Sequence, residues 1–221
     1  MKKGIFITGT DTGVGKTYVG AGLAAALRAQ GIDVGVMKPA ETGCNTQRGE
    51  LVPRDAKMLM KAAGANDPLD LVAPYRFRDP LAPAVAAQRE GKNISFKKIL
   101  TAFRTLSERH RFMIVEGAGG VLVPLTGRRS YLDLAASLSL PVLIVARPGL
   151  GTINHTLLTI TALRARKITV AGIVINHCKE GRPGLAERTN PAVIERISRV
   201  PIIGIVRHRQ KDLDNLARSL Q

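Results

Sequence analysis

The sequence predicts a doubly wound α/β domain, in which a mostly parallel sheet carries helices on both faces. Short uninterrupted apolar runs recur along the chain, as in parallel strands that are buried on both sides. Between these runs lie longer segments whose apolar residues recur at helical spacing. A glycine-rich turn directly follows the first apolar run and opens the first helical segment. Such alternation is typical of strand–helix–strand units with right-handed crossovers.

The predicted elements follow one another without a dividing linker or an internal repeat. We expect strands at the apolar runs, at residues 5–8, 34–38, 112–115, 142–146, 170–175 and 202–206. The helical patterns predict helices at residues 17–29, 54–63, 95–109, 131–137, 152–166, 191–199 and 212–219. Pro39 is expected to end the second strand, and Gly31 to stop the first helix. The proline-rich stretch 68–83 is interpreted as a long functional loop.

Length and composition favour a single domain over residues 1–221. Of the 221 residues, 45% are hydrophobic, which suffices for one sizeable core. No apolar run reaches the ~18 residues that span a membrane, and the first run breaks at Gly9, before a signal-peptide core could form. Cys44 and Cys178 lie far apart and form no CxxC motif, which favours a reducing compartment. We therefore expect a cytoplasmic protein with no membrane partner.

The net charge of +16 could indicate nucleic-acid binding, because lysine and arginine neutralise phosphates. The basic residues, however, are spread over predicted helix ends and faces instead of forming one patch. Tryptophan is absent, and three tyrosines and five phenylalanines do not form an aromatic stripe. We expect no nucleic-acid partner, since an anionic small ligand would use the same positive field.

The segment GTDTGVGKT, residues 9–17, has the features of a phosphate-binding loop. Its glycines let backbone N–H groups turn toward an anion, and the helix that follows adds its partial positive charge. Lys16 would reach the outer phosphates, and Thr17 would offer a hydroxyl to Mg²⁺. Thr10 occupies the first glycine position of the usual spacing, and Gly9 lies one residue earlier. The segment therefore predicts a nucleotide site with a variant loop.

Three further charged residues are expected near this loop. Glu116 follows the strand at 112–115, and Lys38 ends the strand at 34–38, so both stand where open α/β sheets bind ligands. Two lysines near a triphosphate suggest that charge develops on more than the γ-phosphate. Asp55 opens a helix, where a carboxylate also offsets the helix dipole. Its position alone leaves a structural and a metal-binding role open.

These motifs resemble the dethiobiotin synthetases, ATP-dependent enzymes that close the ureido ring in biotin synthesis. The matching blocks follow the family order: GTDTGVGKT at 9–17, MKPAETG at 37–43, RDA at 54–56, PYRF at 74–77 with prolines after it, VEGAGG at 115–120 with LVPL, and GLGTINHTLLT at 149–159. The strand-end Asn176 also matches. The blocks extend over almost the whole chain, and the variant loop is similar to the family's own form.

The resemblance implies a role for each matching residue. Lys38 would be the active-site lysine, with Lys16 and Thr12 near the transferred phosphate. The metal ligands would be Thr17, Asp55 and Glu116. Further ATP contacts would come from the loop, the segment after Glu116 and two strand ends: Gly13, Val14, Gly15, Tyr18, Gly117, Ala118, Gly119, Asn176, His177, Ile205, Val206 and Arg207. The substrate would contact Thr42 and, at the start of a helix of the neighbouring subunit, Gly151, Thr152 and Asn154.

The resemblance also implies the chemistry. The substrates would be 7,8-diaminononanoate, carbon dioxide and ATP, the cofactor Mg²⁺, and the active unit a homodimer. One amine would capture carbon dioxide as a carbamate, whose oxygen attacks the γ-phosphate. The second amine would then displace phosphate and close the cyclic urea, leaving dethiobiotin and ADP. Every step gathers negative charge, which Lys16, Lys38 and Mg²⁺ would stabilise.

Two departures from the family pattern concern specificity. Relatives usually follow the last strand with a proline, where this chain has Ile205-Val206-Arg207, so nucleotide preference stays open. The segment 182–190 carries Arg188 near the place where an aromatic residue can line the substrate channel.

Two alternatives from other classes share part of the pattern. Partition-type or septum-site ATPases, which are switches that bind DNA or membrane, carry a lysine where this chain has Asp11. They also use an aspartate where this chain has Glu116. Amidoligases of the cobyrinate type share the EGAGG-like strand end but normally add a glutaminase domain that 221 residues cannot hold. These three differences favour the synthetase interpretation.

Overall fold

The structure is a computed structural model that describes residues 3–210 and 213–220. Its elements in chain order are β1 (Lys3–Gly9), α1 (Lys16–Ala29), β2 (Val34–Met37), β3 (Ala40–Glu41), β4 (Asn45–Gln47), β5 (Glu50–Val52), α2 (Arg54–Ala63), α3 (Leu69–Val72), β6 (Tyr75–Arg76), α4 (Pro83–Arg89), α5 (Phe96–Arg109), β7 (Phe112–Glu116), α6 (Tyr131–Leu138), β8 (Val142–Ala146), α7 (Thr152–Ala165), β9 (Val170–Asn176), α8 (Leu185–Ser198), β10 (Ile202–Val206) and α9 (Asp214–Ser219).

Six of these strands form a central sheet in the order β10-β9-β8-β1-β7-β2, and all their pairings are parallel. β7 and β8 are buried along their whole length, which explains why their sequences are uninterrupted apolar runs. α1 packs against α2 and α9, whereas α7 packs against α8. Right-handed crossovers between parallel strands place these two groups of helices on opposite faces of the sheet. The predicted doubly wound fold is confirmed.

The predicted strands agree with the sheet to within about two residues, but one helix begins earlier than expected. α8 starts at Leu185, and Pro191 lies inside it instead of at its first turn. The Gly184 N–H donates to the Glu187 carboxylate at 2.9 Å, so this side chain satisfies a backbone group at the helix start. The helix start that was predicted from Pro191 is therefore wrong. The start of the last predicted helix, at residue 212, lies outside the described residues, and α9 is described from Asp214.

The segment between β2 and α5 contains short elements that the sequence pattern did not predict. The stretch 68–83, expected as one long loop, holds α3 and β6, and β6 pairs in parallel with β3. β4 and β5 form an antiparallel hairpin whose turn residues, Arg48 and Gly49, both have positive φ angles of 51° and 84°. Arginine is uncommon at such a position, so the usual asparagine–glycine turn signal is missing.

The parallel strands bring their carboxyl ends to one edge of the sheet. Gly9 and Glu116 end β1 and β7, and Lys38 directly follows β2. Asn176 ends β9 on the other side of β1. Three predicted site residues and the start of the phosphate loop therefore lie at this edge because of strand direction alone.

In the part of the chain that the structure describes, the helices are too short or too polar to cross a membrane.

His110, just after the C-terminal end of α5, lies between the carboxylates of Asp33 and Asp67, and we call these three residues the histidine clamp. His110 Nδ1 lies 2.8 Å from Asp33 Oδ1, and its Nε2 lies 2.7 Å from Asp67 Oδ2. Arg109 also contacts Asp67, at 3.3 Å. Burial alone would lower the pKa of His110, but its hydrogen bonds to the two carboxylates outweigh burial and raise that pKa.

We expect this clamp to stabilise the fold more at low pH than at high pH. Because the pKa of His110 is raised on folding, its contribution is complete below the unfolded pKa of ~6.5 and is lost as pH rises through the folded pKa. Urea unfolding of wild type and His110→Gln between pH 6 and pH 9 measures it. The difference in unfolding free energy should shrink with rising pH, and a constant difference would show that His110 is not charged in the fold.

Candidate active site

The phosphate loop leads from β1 into α1, and its glycines have structural reasons. Gly13 and Gly15 adopt positive φ angles of 75° and 86°. A Cβ at Gly15 would lie 2.1 Å from Asn176 Nδ2, and a Cβ at Gly9 would lie 2.7 Å from the Asp11 carbonyl oxygen. Larger residues would therefore displace the loop at both positions. Close approach at Gly9 accounts for a glycine one position earlier than in the usual spacing.

Lys16 opens α1 and is buried in the protein. Its Nζ donates to the Asp11 carbonyl oxygen at 3.2 Å, so the lysine folds back under its own loop. Burial, with the nearby positive charge of Lys38 as the next cause, lowers the pKa of Lys16 to about 8. An anion bound in the loop would stabilise the charged form of Lys16 and so raise its pKa.

Lys38 gathers the two predicted carboxylates at the edge of the sheet. Its Nζ donates to Glu116 Oε1, to Asp55 Oδ2 at 3.1 Å and to the Gly117 carbonyl oxygen at 3.3 Å. Thr17 Oγ1 donates to Glu116 Oε1 at 2.9 Å. The three predicted metal ligands and the predicted catalytic lysine therefore form one contact network.

The charge state of Lys38 follows from this network. Burial alone would lower its pKa, but the attraction of Glu116 and then of Asp55 outweighs burial and raises the pKa. Lys38 is therefore positively charged at neutral pH, although it is almost completely buried. Of the four charges closest together, two are positive (Lys16 and Lys38) and two negative (Asp55 and Glu116), so they balance.

Glu41 supports the network and was not predicted. This buried carboxylate accepts the backbone N–H groups of Asp55, at 2.9 Å, and Ala56, at 3.0 Å. It satisfies donors at the start of α2, and so fixes the residue whose side chain meets Lys38. Burial raises the pKa of Glu41. Only its place in the MKPAETG block pointed to it, since a cap 14 residues before the helix has no local signature.

A second unpredicted residue, Tyr131, lies beneath the same network. Its ring is fully buried, and its hydroxyl donates to the Ala40 carbonyl oxygen at 3.4 Å. Burial raises the pKa of this phenol, which is therefore neutral at physiological pH. Its hydroxyl is close enough to Lys38 and Glu116 to interact with both electrostatically.

The network opens into a cleft of about 660 Å³. Eleven predicted residues line it: Thr12, Gly13, Gly15, Lys16, Thr17, Lys38, Thr42, Asp55, Glu116, Ala118 and Gly119. A neighbouring cavity of about 480 Å³ shares Thr12 and Gly13 and adds Val14, Asn176 and His177. The two spaces together follow the phosphate loop from Lys38 to the end of β9, as an elongated ligand would require.

The Asn176 side chain binds the phosphate loop. Its Nδ2 donates to the Val14 carbonyl oxygen at 2.9 Å, and the Cys178 thiol lies 3.3 Å from the same atom. The His177 N–H donates to the Val206 carbonyl oxygen at 2.8 Å, which brings the end of β10 beside Asn176. β9 and the loop are therefore joined at this point.

Some predicted contacts lie outside these two spaces. Ile205 and Val206 line a separate cavity beside α9, and Arg207 is exposed. The Tyr18 hydroxyl donates to the Gln210 carbonyl oxygen. Gly117 contributes its carbonyl oxygen to Lys38. The nucleotide contacts predicted for Tyr18 and for residues 205–207 thus stay predictions.

The predicted carboxylate-binding segment at the start of α7 also lies away from the cleft of its own chain. Gly151 has a φ angle of 87°, and Asn154 is exposed. Thr152 is fully buried, with its hydroxyl 3.5 Å from that of Thr156, and its N–H donates to the Gly149 carbonyl oxygen at 3.3 Å. The substrate roles predicted for Gly151, Thr152 and Asn154 concern a neighbouring subunit, and all three stay predictions.

Known proteins match this chain over nearly its whole length. The AAA domain family matches residues 3–215. The ATP-dependent dethiobiotin synthetase BioD of Anaeromyxobacter sp. strain K is 48% identical over 219 residues, 99% of this chain and 95% of that protein. The protein of the same name from Bacillus licheniformis is 46% identical over 92% of this chain and 85% of its own length.

Solved structures show the same fold at low identity. The cell division ATPase MinD of Pyrococcus furiosus is 18% identical, covers 97% of this chain and 89% of its own, and has a TM-score of 0.55. The ParA family ATPase of Chlorobium tepidum is 16% identical over 99% of this chain and 88% of its own, with a TM-score of 0.51. These two proteins establish the architecture, whereas the sequence relatives establish the family. With nearly half its residues identical to those relatives over most of both chains, this chain belongs to the ATP-dependent dethiobiotin synthetase family.

Proposed function

We propose that this chain closes the ureido ring of dethiobiotin from 7,8-diaminononanoate, carbon dioxide and ATP, through a carbamate and a carbamic–phosphoric anhydride. The observation that carries this proposal is the contact of Lys38 with both Asp55 and Glu116 beside the phosphate loop. Family membership gives the overall reaction, an ATP-dependent ligation that forms C–N bonds in biotin synthesis. The steps that follow assign tasks to the residues of the cleft.

Lys16 and the loop would hold the nucleotide. The N–H groups at the start of α1 point toward the loop, and the buried ammonium group of Lys16 lies beneath it. Thr12 lines both cavities, and a Cβ at Gly119 would lie 3.5 Å from its hydroxyl oxygen. This position suits Thr12 for a contact with the transferred phosphoryl group.

Lys38 would act on the reacting end of the diamine. The carbamate oxygen attacks the γ-phosphate, ADP leaves, and the second amine then attacks the carbamoyl carbon and expels phosphate. The negative charge that moves from carbamate to phosphate needs a fixed positive group. Lys38 is buried, charged and held by three acceptors, so it is oriented before the substrates arrive. Thr42 lines the same cleft, where its hydroxyl would orient the diamine.

The residues present fit Mg²⁺. Thr17, Asp55 and Glu116 offer only oxygen atoms, the ligands that this ion prefers, together with phosphate oxygens. Glu116 Oε2 is buried and has no hydrogen-bond partner among the described residues, so this carboxylate keeps capacity to accept. When bound, the ion would neutralise charge on the triphosphate.

The test of this function is ATP hydrolysis that requires both other substrates. With the purified protein, phosphate release should need 7,8-diaminononanoate and bicarbonate together, and label from [¹⁴C]bicarbonate should enter an acid-stable product. Hydrolysis that ignores the diamine but responds to DNA or to vesicles would overturn the proposal in favour of a switch ATPase. Omitting each substrate in turn is the internal control.

A homodimer is proposed from the exposed leucines at α7. The buried face of this helix carries Thr152, Thr156, Thr159, Ile160 and Leu163. Its outward side exposes Leu158, and Leu150 just before the helix is 86% exposed. A surface helix normally presents polar residues to solvent, and exposed apolar residues mark interaction sites. A second copy of the chain is the partner that family resemblance implies, and the start of α7 would then approach the partner's cleft.

We expect Leu158→Lys to weaken the dimer and the binding of the diamine together. A lysine would place an unpaired charge in the contact, whereas Met58→Lys on α2, at a similarly exposed apolar residue, should change neither property. Sedimentation at assay concentrations and the KM for the diamine measure the two effects. A fully active monomer would contradict the shared site.

The low pKa of Lys16 predicts a pH effect on nucleotide binding. The pKa of about 8 in the free protein is lower than normal, so the charged form is lost as pH rises through that value. Affinity for ATP should therefore fall between pH 7 and pH 9.5, by at most about tenfold per pH unit. Calorimetry in two buffers of different ionisation enthalpy should show proton uptake above pH 8. Lys38 stays charged over this range because its pKa is raised.

A location in the cytoplasm fits these proposals, because ATP is a co-substrate and both cysteines are unpaired.

A further inference from the structure

Asp11 carries a negative charge at the apex of the phosphate loop. Its Oδ1 accepts the Thr12 N–H at 2.7 Å, and its backbone oxygen accepts from Lys16 Nζ at 3.2 Å. The Asp11 side chain is about half exposed, and a carboxylate so close to the loop still opposes the binding of a triphosphate, because like charges repel. Nucleotide binding therefore requires that this charge be compensated or turned away.

Arg147 supplies the compensation. Its Nη2 donates to Asp11 Oδ2 at 3.0 Å. The arginine directly follows β8, which pairs with β1 up to Gly9 and Val145, and the Thr10 N–H donates to the Val145 carbonyl oxygen at 3.0 Å. The sheet itself thus places the arginine backbone beside the loop. The contact does not depend on a flexible surface segment.

Two further observations show that the Arg147 side chain is held in place. The same Nη2 lies 3.2 Å from His155 Nδ1 in the first turn of α7. Since arginine can only donate, this nitrogen of His155 accepts, and the ring proton is on Nε2. The Arg147 Nε is buried and lacks a hydrogen-bond partner within the described residues. The ion pair itself is partly exposed, but neighbouring residues enclose this end of the guanidinium and His155 restricts the other.

We propose that Arg147 is a positioning residue of the nucleotide site, which acts through Asp11 to fix the phosphate loop and to cancel the carboxylate charge at its apex. The loop contains Gly13 and Gly15, which lose much conformational freedom when they become ordered. An arginine that fixes the preceding residue reduces the ordering that the ligand must impose. The inference rests on the proposed binding of ATP in this loop and adds a residue that controls it.

The experiment measures binding of a non-hydrolysable ATP analogue with Mg²⁺ by calorimetry, without the diamine. Arg147→Ala should raise Kd about tenfold. Arg147→Lys should raise it less, because a lysine keeps the positive charge but lacks the planar guanidinium group with its several N–H donors. Adding Asp11→Asn to Arg147→Ala should recover much of the lost affinity, since the uncompensated carboxylate is then gone. At saturating ATP the kcat of Arg147→Ala should stay within about threefold of wild type, as expected for a lost ground-state contact.

Arg166 and Asp133 provide the matched control, since their ion pair also measures 3.0 Å and is partly exposed. Arg166→Ala should leave nucleotide Kd unchanged. A fall in thermal midpoint for Arg147→Ala with unchanged Kd would overturn the inference, as would an Arg147→Ala, Asp11→Asn double variant that binds no better than the single one. If Arg147→Ala does not fold, the Kd of the ATP analogue is measured for Arg147→Lys and for Asp11→Asn instead. A wild-type protein that binds no analogue would overturn the proposed function as well.

Discussion

Lys38→Ala should lower turnover by about 10²- to 10³-fold while changing ATP affinity little. In the proposed reaction Lys38 stabilises the charge that moves from carbamate to phosphate, and removing one fixed donor of this kind typically has an effect of that size. ATP affinity should persist because Lys16 and the loop remain. The steady-state kcat measures the effect on turnover, and a calorimetric Kd measures the effect on ATP affinity.

Lys57→Ala is the control for this experiment. Lys57 is an exposed lysine on α2, the helix that carries Asp55, and it does not line the cleft. Its replacement should leave kcat unchanged. Should Lys38→Ala instead abolish ATP binding and leave the chemistry of bound ATP unaffected, Lys16 and Lys38 would have to exchange roles.

Glu116→Gln should leave the fold intact and reduce Mg²⁺-dependent turnover by about 10²-fold or more. A neutral amide has a similar shape but does not balance a divalent cation. The concentration of Mg²⁺ at half-maximal activity should rise, and circular dichroism should show an unchanged fold. The effect is specific to the buried carboxylate, because Thr17 and Lys38 both contact its Oε1.

The exposed Glu108 on α5 allows the same chemical change without effect on the site. Glu108→Gln should behave as wild type in the Mg²⁺ titration. A Glu116→Gln variant with wild-type turnover and unchanged Mg²⁺ dependence would exclude Glu116 as a metal ligand.

The sequence predicted the sheet, and it predicted that charged residues lie near the phosphate loop, because strand ends and the loop have local patterns. Apolar runs mark buried parallel strands, and parallel strands bring Glu116 and Lys38 to the same edge whatever their order. The order itself, with β1 between β7 and β8, was not predictable from those runs. The strand order depends on which helices pack together, and those contacts form only between segments that are distant in the sequence.

The supporting residues were harder to predict for a related reason. Glu41 contacts Asp55 across a separation of 14 residues, and Arg147 contacts Asp11 across 136. Neither pair has a periodicity or a motif that joins its members. Their positions were available only once the strands that carry them had been placed side by side.

The balance of charge among Lys16, Lys38, Asp55 and Glu116 separates two electrostatic tasks in this enzyme. The excess of +16 resides elsewhere on the chain, where solvent and salt reach it. Ionic strength therefore governs chiefly how often the polyanion ATP encounters the protein, since long-range attraction is screened over about 8 Å at physiological salt. Lys16, Lys38 and Glu116 are buried and Asp55 is partly exposed, so salt screens the charges of the proposed site less than it screens the surface charges.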